Sequence, residues 1–158
     1  MKKLLIILMA LVLIVGMTAC GDTSQPLESD IDDRAEEGED TDMKMNVKVG
    51  DKSFTATLED NAATRELIEL MKEAPISIDM NDYSGFEKVG PLGRSLTTDN
   101  QQTTTTAGDI VLYSGNQIVM FYGSNSWSYT RIGKIDDLSG WEDALGSGNI
   151  TAVFSLNE

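Results

Sequence analysis

The sequence contains no histidine, one cysteine and three prolines among its 158 residues. Without histidine there is no His-based triad, no imidazole general base and no histidine metal site. A single Cys excludes an internal disulfide and a Cys-cluster zinc site. Basic residues are scarce too: 12 Lys and Arg stand against 26 Asp and Glu, a formal charge of −14. The footprint of a nucleic-acid binder is basic, so this balance argues against one. Phosphate-loop, dinucleotide and G-x-S-x-G patterns are absent, and no paired carboxylates at a defined spacing suggest a hydrolase. Nothing calls for a cofactor or a metal. The eight Met divide between the first 19 residues and core positions, where a thioether serves as filler.

The charge is unevenly placed, so the chain divides before it is read. Met1-Lys2-Lys3 is a short positive start, and Leu4 to Val15 is an unbroken apolar run of twelve. A spanning helix needs about 20 apolar residues, so the run is short for a permanent anchor. A basic start followed by such a run fits a secretory signal peptide over residues 1–19. Met17-Thr18-Ala19-Cys20 resembles the lipobox of bacterial lipoproteins, in which the Cys is lipid-modified and becomes the new N-terminus. Met17 stands where Leu is usual. The resemblance implies an extracytoplasmic protein held on the cell membrane by lipid on Cys20. Acyl chains bind membrane at roughly 0.8 kcal/mol per buried CH₂, so two or more give a stable tether.

Residues 20–42 hold ten acids and one base, Arg34, with Leu27 and Ile31 the sizeable apolar side chains. Such a segment buries too little surface to offset its ordering entropy, which predicts a disordered acidic linker. Its reach is about 25–30 Å as a flexible coil and up to roughly 75 Å extended. The spacing of the acids lacks the D-x-[DN]-x-[DN]-G calcium-loop pattern.

Residues 43–158 carry 16 acids and 9 bases and have the size for a single core. Met43, Met45, Val47 and Val49 alternate with polar residues, Gly50-Asp51-Lys52 turns the chain, and Phe54, Ala56 and Leu58 alternate again. That pattern predicts a β-hairpin with one buried face. Asp60-Asn61 offers a helix N-cap, Ala63, Leu67, Leu70, Met71 and Ala74 follow at helical spacing, and Pro75 ends the run. Further strands are expected at Ile76–Met80, Asp109–Tyr113, Gln117–Tyr122, Tyr129–Ile135 and Ile150–Leu156. Asp82 to Leu96 reads as a loop or bulged strand, and Thr97 to Gly108 as an exposed connection. Ser139 is placed to cap a short helix carrying Trp141, Ala144 and Leu145, which Gly146 stops. Seven or eight strands with two short helices in this length suggest a mainly β closed barrel with helical caps.

The runs Gly108-Asp109-Ile110-Val111-Leu112-Tyr113, Gln117-Ile118-Val119-Met120-Phe121-Tyr122-Gly123 and Ile132-Gly133-Lys134-Ile135 resemble the cyclophilin-like superfamily. More closely, Tyr83-Ser84-Gly85-Phe86-Glu87-Lys88 and Phe121-Tyr122-Gly123-Ser124-Asn125-Ser126-Trp127 are similar to bacterial cyclophilin-like domains of undefined activity. The resemblance covers essentially all of residues 43–158. It implies an eight-stranded barrel with a helix at each open end. Classical cyclophilins catalyse rotation about X-Pro bonds, whose barrier of about 18–20 kcal/mol reflects amide resonance. They use a strand Arg, a Phe-rich pocket, a Gln, and a Trp and a His near the groove. The Arg strand would fall near Ile76 to Phe86, where there is no Arg; the nearest is Arg94. Tyr129 falls where the family has its groove His, and Trp127 lies close to its Trp. The isomerase residues therefore do not carry over.

Tyr83, Phe86, Tyr122, Trp127 and Tyr129 are five of the chain's ten aromatics and fall in or beside expected loops. Rings with polar tips suit a groove that is half apolar and half wet. Asn125, Arg94 and Arg131 could add donors, an Arg holding a carboxylate or carbonyl through parallel hydrogen bonds. The alternative for each ring is packing at the ends of a small barrel. Rings and guanidiniums are expected together at the barrel's rim, Glu87 and Lys88 as solvated residues, and Asp109 as a strand-start residue. The reading that follows is a tethered module binding a peptide or small ligand. The alternative is a peptidyl-prolyl isomerase or folding factor for exported proteins, and a third option is an enzyme using Tyr and Arg on an unnamed substrate.

Overall fold

The computed structural model describes residues 43–157. The expectations placed on residues 1–42, a signal peptide, a lipid-bearing Cys20 and an acidic linker, lie outside the described residues.

The alternating N-terminal segment forms β1 (Lys44–Val49) and β2 (Lys52–Leu58), paired from Lys44↔Thr57 to Val49↔Lys52. Gly50 makes the reversal at φ +60, a conformation only glycine adopts freely. Helix α1 (Ala62–Glu73) follows. The Asn61 side chain caps it by accepting from the Thr64 amide at 2.9 Å and donates to the Arg131 carbonyl at 2.7 Å, fastening the helix start to a distant strand. Then come β3 (Ile76–Tyr83), β4 (Glu87–Pro91), β5 (Gln101–Thr104), β6 (Asp109–Tyr113), β7 (Gln117–Phe121) and β8 (Ser126–Ile135). Helix α2 (Trp141–Leu145) and β9 (Ile150–Leu156) complete the order.

Adjacent strands run antiparallel in the order β2-β1-β9-β3-β4-β7-β6-β8, and β8 pairs back to β2. The result is a closed eight-stranded barrel with two helices, as the strand pattern predicted. The seam consists of Ala56↔Ile135, Thr57↔Lys134 and Leu58↔Gly133. A Cβ on Gly133 would stand 2.5 Å from the Thr57 carbonyl oxygen, so the seam closes only over a glycine. Next to it the β6 register slips between Ile110↔Gly133 and Val111↔Arg131, a β-bulge that bends β8.

Two local expectations are corrected, and one that stood between loop and strand is resolved. Residues 97–108 are not wholly a connection, because Gln101–Thr104 forms β5, a ninth strand paired to β8 outside the closed ring. Residues 82–96 contain β4 and its hairpin turn, where Ser84 and Gly85 both take positive φ, the conformation of a tight primed turn. Gly140, at φ +76, precedes α2 in place of Ser139 and makes no side-chain cap; the Ser139 amide instead donates to Asp137 at 2.8 Å.

Period-2 alternation divides the apolar residues between two faces. Ile110, Leu112, Ile118 and Met120 point into the barrel, joined by Leu67 and Met71 of α1 and by Trp141 and Leu145 of α2. Trp141 meets Phe54 edge-on at 4.9 Å and donates its indole N–H to the Phe121 carbonyl at 2.8 Å. Val111, Val119, Phe121 and Tyr129 form a second cluster on the outer face of β6, β7 and β8, with Phe86 and Val89 packed against it.

Lys88 is fully buried rather than solvated. It points into the barrel, where Nζ donates to Asp82 Oδ1 at 2.6 Å and to the carbonyls of Gly146 at 2.9 Å and Gly148 at 2.7 Å. The Tyr122 ring centroid lies 5.2 Å away. Three acceptors and a ring face replace the ammonium's water.

Gly133→Ala is expected to destabilise the domain by about 1–3 kcal/mol through overpacking at the seam. Urea unfolding measures it, and a wild-type midpoint would show that the seam has room to spare.

Candidate functional site

The outer cluster is the floor of a cleft of about 390 Å³. Val89 of β4 and Val119 of β7 are paired across the strands and supply its apolar base. Tyr83 at the end of β3, Tyr113 at the end of β6, and Trp127 and Tyr129 on β8 stand around it. Asn125, just before β8, and Glu87 at the start of β4 complete the lining.

These side chains are held in different ways. Tyr129 is buried, and its ring meets Phe121 at 5.7 Å and Tyr113 at 6.1 Å, both edge-on. Its hydroxyl accepts from Asn125 Nδ2 at 3.0 Å, while Asn125 Oδ1 accepts from the Ser126 amide at 2.8 Å. The backbone of Asn125 is fixed by buried Thr105, whose amide and hydroxyl both donate to the Asn125 carbonyl, at 2.8 and 3.0 Å. Burial pushes the Tyr129 hydroxyl above the usual phenol range, with the Glu87 charge adding to the effect. Tyr83 and Trp127 are 58% and 57% exposed and form the open walls. Tyr83 leans edge-on against Phe86 at 6.1 Å.

Glu87 is the exception among the polar groups. It is only 6% exposed, and its Oε2 is buried without a hydrogen-bond partner among the described residues. Burial pushes its carboxyl up to about 7. A buried oxygen left without a donor costs free energy that a bound group can recover. The expectation of a solvated Glu87 fails for the same reason as that of Lys88. Both lie on a strand whose two faces are covered, one by the barrel interior and the other by the aromatic cleft.

The structure brings Tyr83, Asn125, Trp127 and Tyr129 together. Phe86 lies beside them as support, and its carbonyl accepts from the amides of Tyr122 at 3.0 Å and Gly123 at 2.9 Å. A Cβ on Gly123 would meet that of Phe86 at 2.7 Å, so this close packing needs the glycine. The other three expected residues are elsewhere. Tyr122 follows Phe121 in extended chain, so it faces the opposite way. It packs against the inner cluster, and its hydroxyl donates to Asp82. Burial and the Asp82 carboxylate push that hydroxyl up to about 12. Arg131 is drawn toward Glu59, with Nε to Oε1 at 3.1 Å, and toward Asp109, with Nη2 to Oδ1 at 3.6 Å. It borders a separate polar hollow of about 250 Å³ with Asp60, Asn61 and Asp99. Arg94 is exposed between β4 and β5 and lines none of these spaces. The rings therefore gather on the barrel's outer wall, without guanidiniums, rather than sharing its rim with them.

Asp109 is a strand-start residue, as expected, accepting from the Thr106 amide at 2.8 Å and from Lys134 at 3.1 Å. Among the described residues, no three Asp, Glu, Cys or His side chains converge to hold a metal ion. Glu87, Tyr113, Val89 and Val119 are cleft residues the sequence reading did not select. Strand alternation was the available signal, since Glu87 and Val89 share a face and pair with Phe121 and Val119.

A closed antiparallel eight-stranded barrel with two helices is consistent with a cyclophilin-like fold. The model of the Cyclophilin-like family matches residues 47–155, and the chain belongs to that family. Among solved structures, the solution structure of the hypothetical protein AF2241 from Archaeoglobus fulgidus is similar, with a TM-score of 0.55 at 14% identity. The match covers 73% of this chain and 95% of that one, and it shows a shared fold. The comparison with curated proteins produced no match.

The Glu87 carboxyl makes stability depend on pH. The folded chain keeps this proton up to about 7, whereas an unfolded chain releases it at roughly 4.3. This contribution is full below the ordinary carboxylate range, declines as pH rises toward 7 and then levels off. The expected loss between pH 5 and pH 8 is on the order of 1–3 kcal/mol. Glu87→Gln should remove that part of the decline in denaturant unfolding, and an identical pH profile in the variant would refute it.

Proposed function

We propose that this barrel is a ligand-binding module for a peptide or small molecule, carried outside the cytoplasmic membrane by lipid on Cys20. The observation that carries the proposal is the outer-wall cleft itself. Four aromatic side chains surround an apolar floor, and a buried carboxyl oxygen there lacks a donor. A concave, mostly apolar surface with a few convergent polar groups is the usual form of a small-ligand site. Rigid support adds to it, because Thr105 and Phe121 hold Asn125 and Tyr129 in place before any ligand arrives.

The isomerase reading has less support. Weakening amide resonance at an X-Pro bond calls for a strong donor aimed at the amide. Among the described residues no Arg or Lys lines the cleft, and Arg94 and Arg131 are committed elsewhere or lie outside it.

A thermal-shift screen of the full chain with small molecules and short peptides is expected to find ligands that raise the melting temperature. Trp127→Ala, at an exposed wall, should abolish those shifts while leaving the unliganded melting temperature within about 2 °C, since an exposed substitution costs little. A protease-free prolyl isomerisation assay should be silent. Activity that disappears in Tyr129→Phe would favour the isomerase.

The tether is tested independently. In a bacterial host, wild type should fractionate with the membrane and Cys20→Ala with the soluble or culture fraction. A variant that stays membrane-bound would defeat the lipid anchor.

A further inference from the structure

We propose that the cleft selects ligands bearing a protonated amine, with the alkylammonium group seated among the rings of Tyr83, Tyr113 and Trp127 and donating to Glu87 Oε2. This rests on the reading of the cleft as a ligand site and names the chemistry it takes.

The argument begins with the unpaired oxygen. Glu87 lines the cleft, and its Oε2 is buried with no hydrogen-bond donor among the described residues. An acceptor in that position recovers its lost hydration only from an incoming N–H or O–H. Sign comes next. Glu87 is the sole charged side chain in the lining, and Lys88, its neighbour along β4, points to the other face and is held by Asp82. An anionic ligand would meet a carboxylate with no compensating cation. The walls make the same selection. Aromatic rings carry negative potential on their faces and attract ammonium groups within about 6 Å of the centroid. Tyr83 and Trp127 are the most exposed aromatics of the cleft, and among the described residues no basic side chain stacks on either ring.

A cation beside Glu87 favours its ionised form, so binding should tighten as pH rises from 6 to 8 and should release protons. The ionisable groups facing Glu87 are Tyr83 from β3, Tyr113 from β6 and Tyr129 from β8, with Tyr122 also within its field. From β7 it meets Phe121 and Val119. None of these neighbours is a cation, and Tyr129 and Tyr122 are pushed above the phenol range. Glu87 is therefore the group expected to change charge over this interval.

The test uses four molecules of one shape: 3,3-dimethylbutylamine, choline, neutral 3,3-dimethylbutan-1-ol and anionic 3,3-dimethylbutanoate. Each is titrated into the full chain by calorimetry, with the Trp127 indole N–H resonance as a local reporter. The amine is expected to bind at least about tenfold tighter than the alcohol, a charge-assisted hydrogen bond compared with a neutral one. Choline, which keeps the charge without an N–H, should fall between them, and the butanoate should be weakest. Glu87→Gln should bring amine and alcohol to within about threefold and abolish proton release, while Trp127→Leu should weaken both cations. Equal binding of amine and alcohol, or preference for the butanoate, would overturn the amine proposal and leave the cleft as a ligand site. Failure of all four to perturb Trp127 would overturn both.

Discussion

Closure of the barrel is the constraint on which the other features depend. Eight strands join through a seam only three residue pairs long, and the tightest pair places Gly133 against the Thr57 carbonyl. A sheet that closes on itself has a true inside and outside, so alternation along each strand acquires two buried destinations. The inner one receives the larger cluster, with both helices contributing to it. The outer one, on β6, β7 and β8, is small and only partly roofed, which leaves a cleft there. The bulge at Ile110/Val111 lies between the seam and the stretch of β8 that carries Trp127 and Tyr129. The same distortion that lets β8 serve three partners carries its N-terminal half past β6 as one wall of the cleft.

Glu87 and Lys88 show how this geometry handles charge. They are adjacent, opposite in sign and both buried, yet they do not serve each other because they face opposite sides of the wall. Lys88 has Asp82 and two carbonyls as acceptors, an arrangement that ties the β3–β4 hairpin to the segment following α2. Glu87 Oε2 has none. Burying an ion is tolerated when its hydrogen-bonding capacity is filled, and a carboxyl without donors retains its proton instead. One of the pair thus consolidates the barrel, and the other keeps its capacity for a partner from outside.

Most of the architecture was legible in the sequence, because the alternation of Met45–Val49 and the short apolar run Ile110–Leu112 mark strands whatever their partners. The cap at Asn61 and the stop at Pro75 placed α1 equally well. Less visible were elements without an apolar rhythm. β5 is Gln-Gln-Thr-Thr and owes its strand conformation to hydrogen bonds from β8. The site was legible in part. Tyr83, Asn125, Trp127 and Tyr129 were found because amphipathic rings and amides stand out in composition. Tyr122, another such ring, and Arg131, a guanidinium, stand out equally but are directed elsewhere by strand parity and by the carboxylates of Asp82, Glu59 and Asp109. Glu87 was overlooked because composition treats a Glu-Lys pair as surface, and only the three-dimensional covering of both strand faces makes it otherwise.

β5 also has a bearing on how copies of this molecule behave when crowded. A fully closed barrel offers no free backbone for another chain to zip onto, but β5 lies outside the ring and pairs with β8 alone. Its far edge has no strand partner among the described residues. The segment is four residues long and wholly polar, features that natural sheets use to discourage intermolecular strand exchange. This outlying sheet margin is thereby a stretch too brief and too hydrophilic to template a fibril.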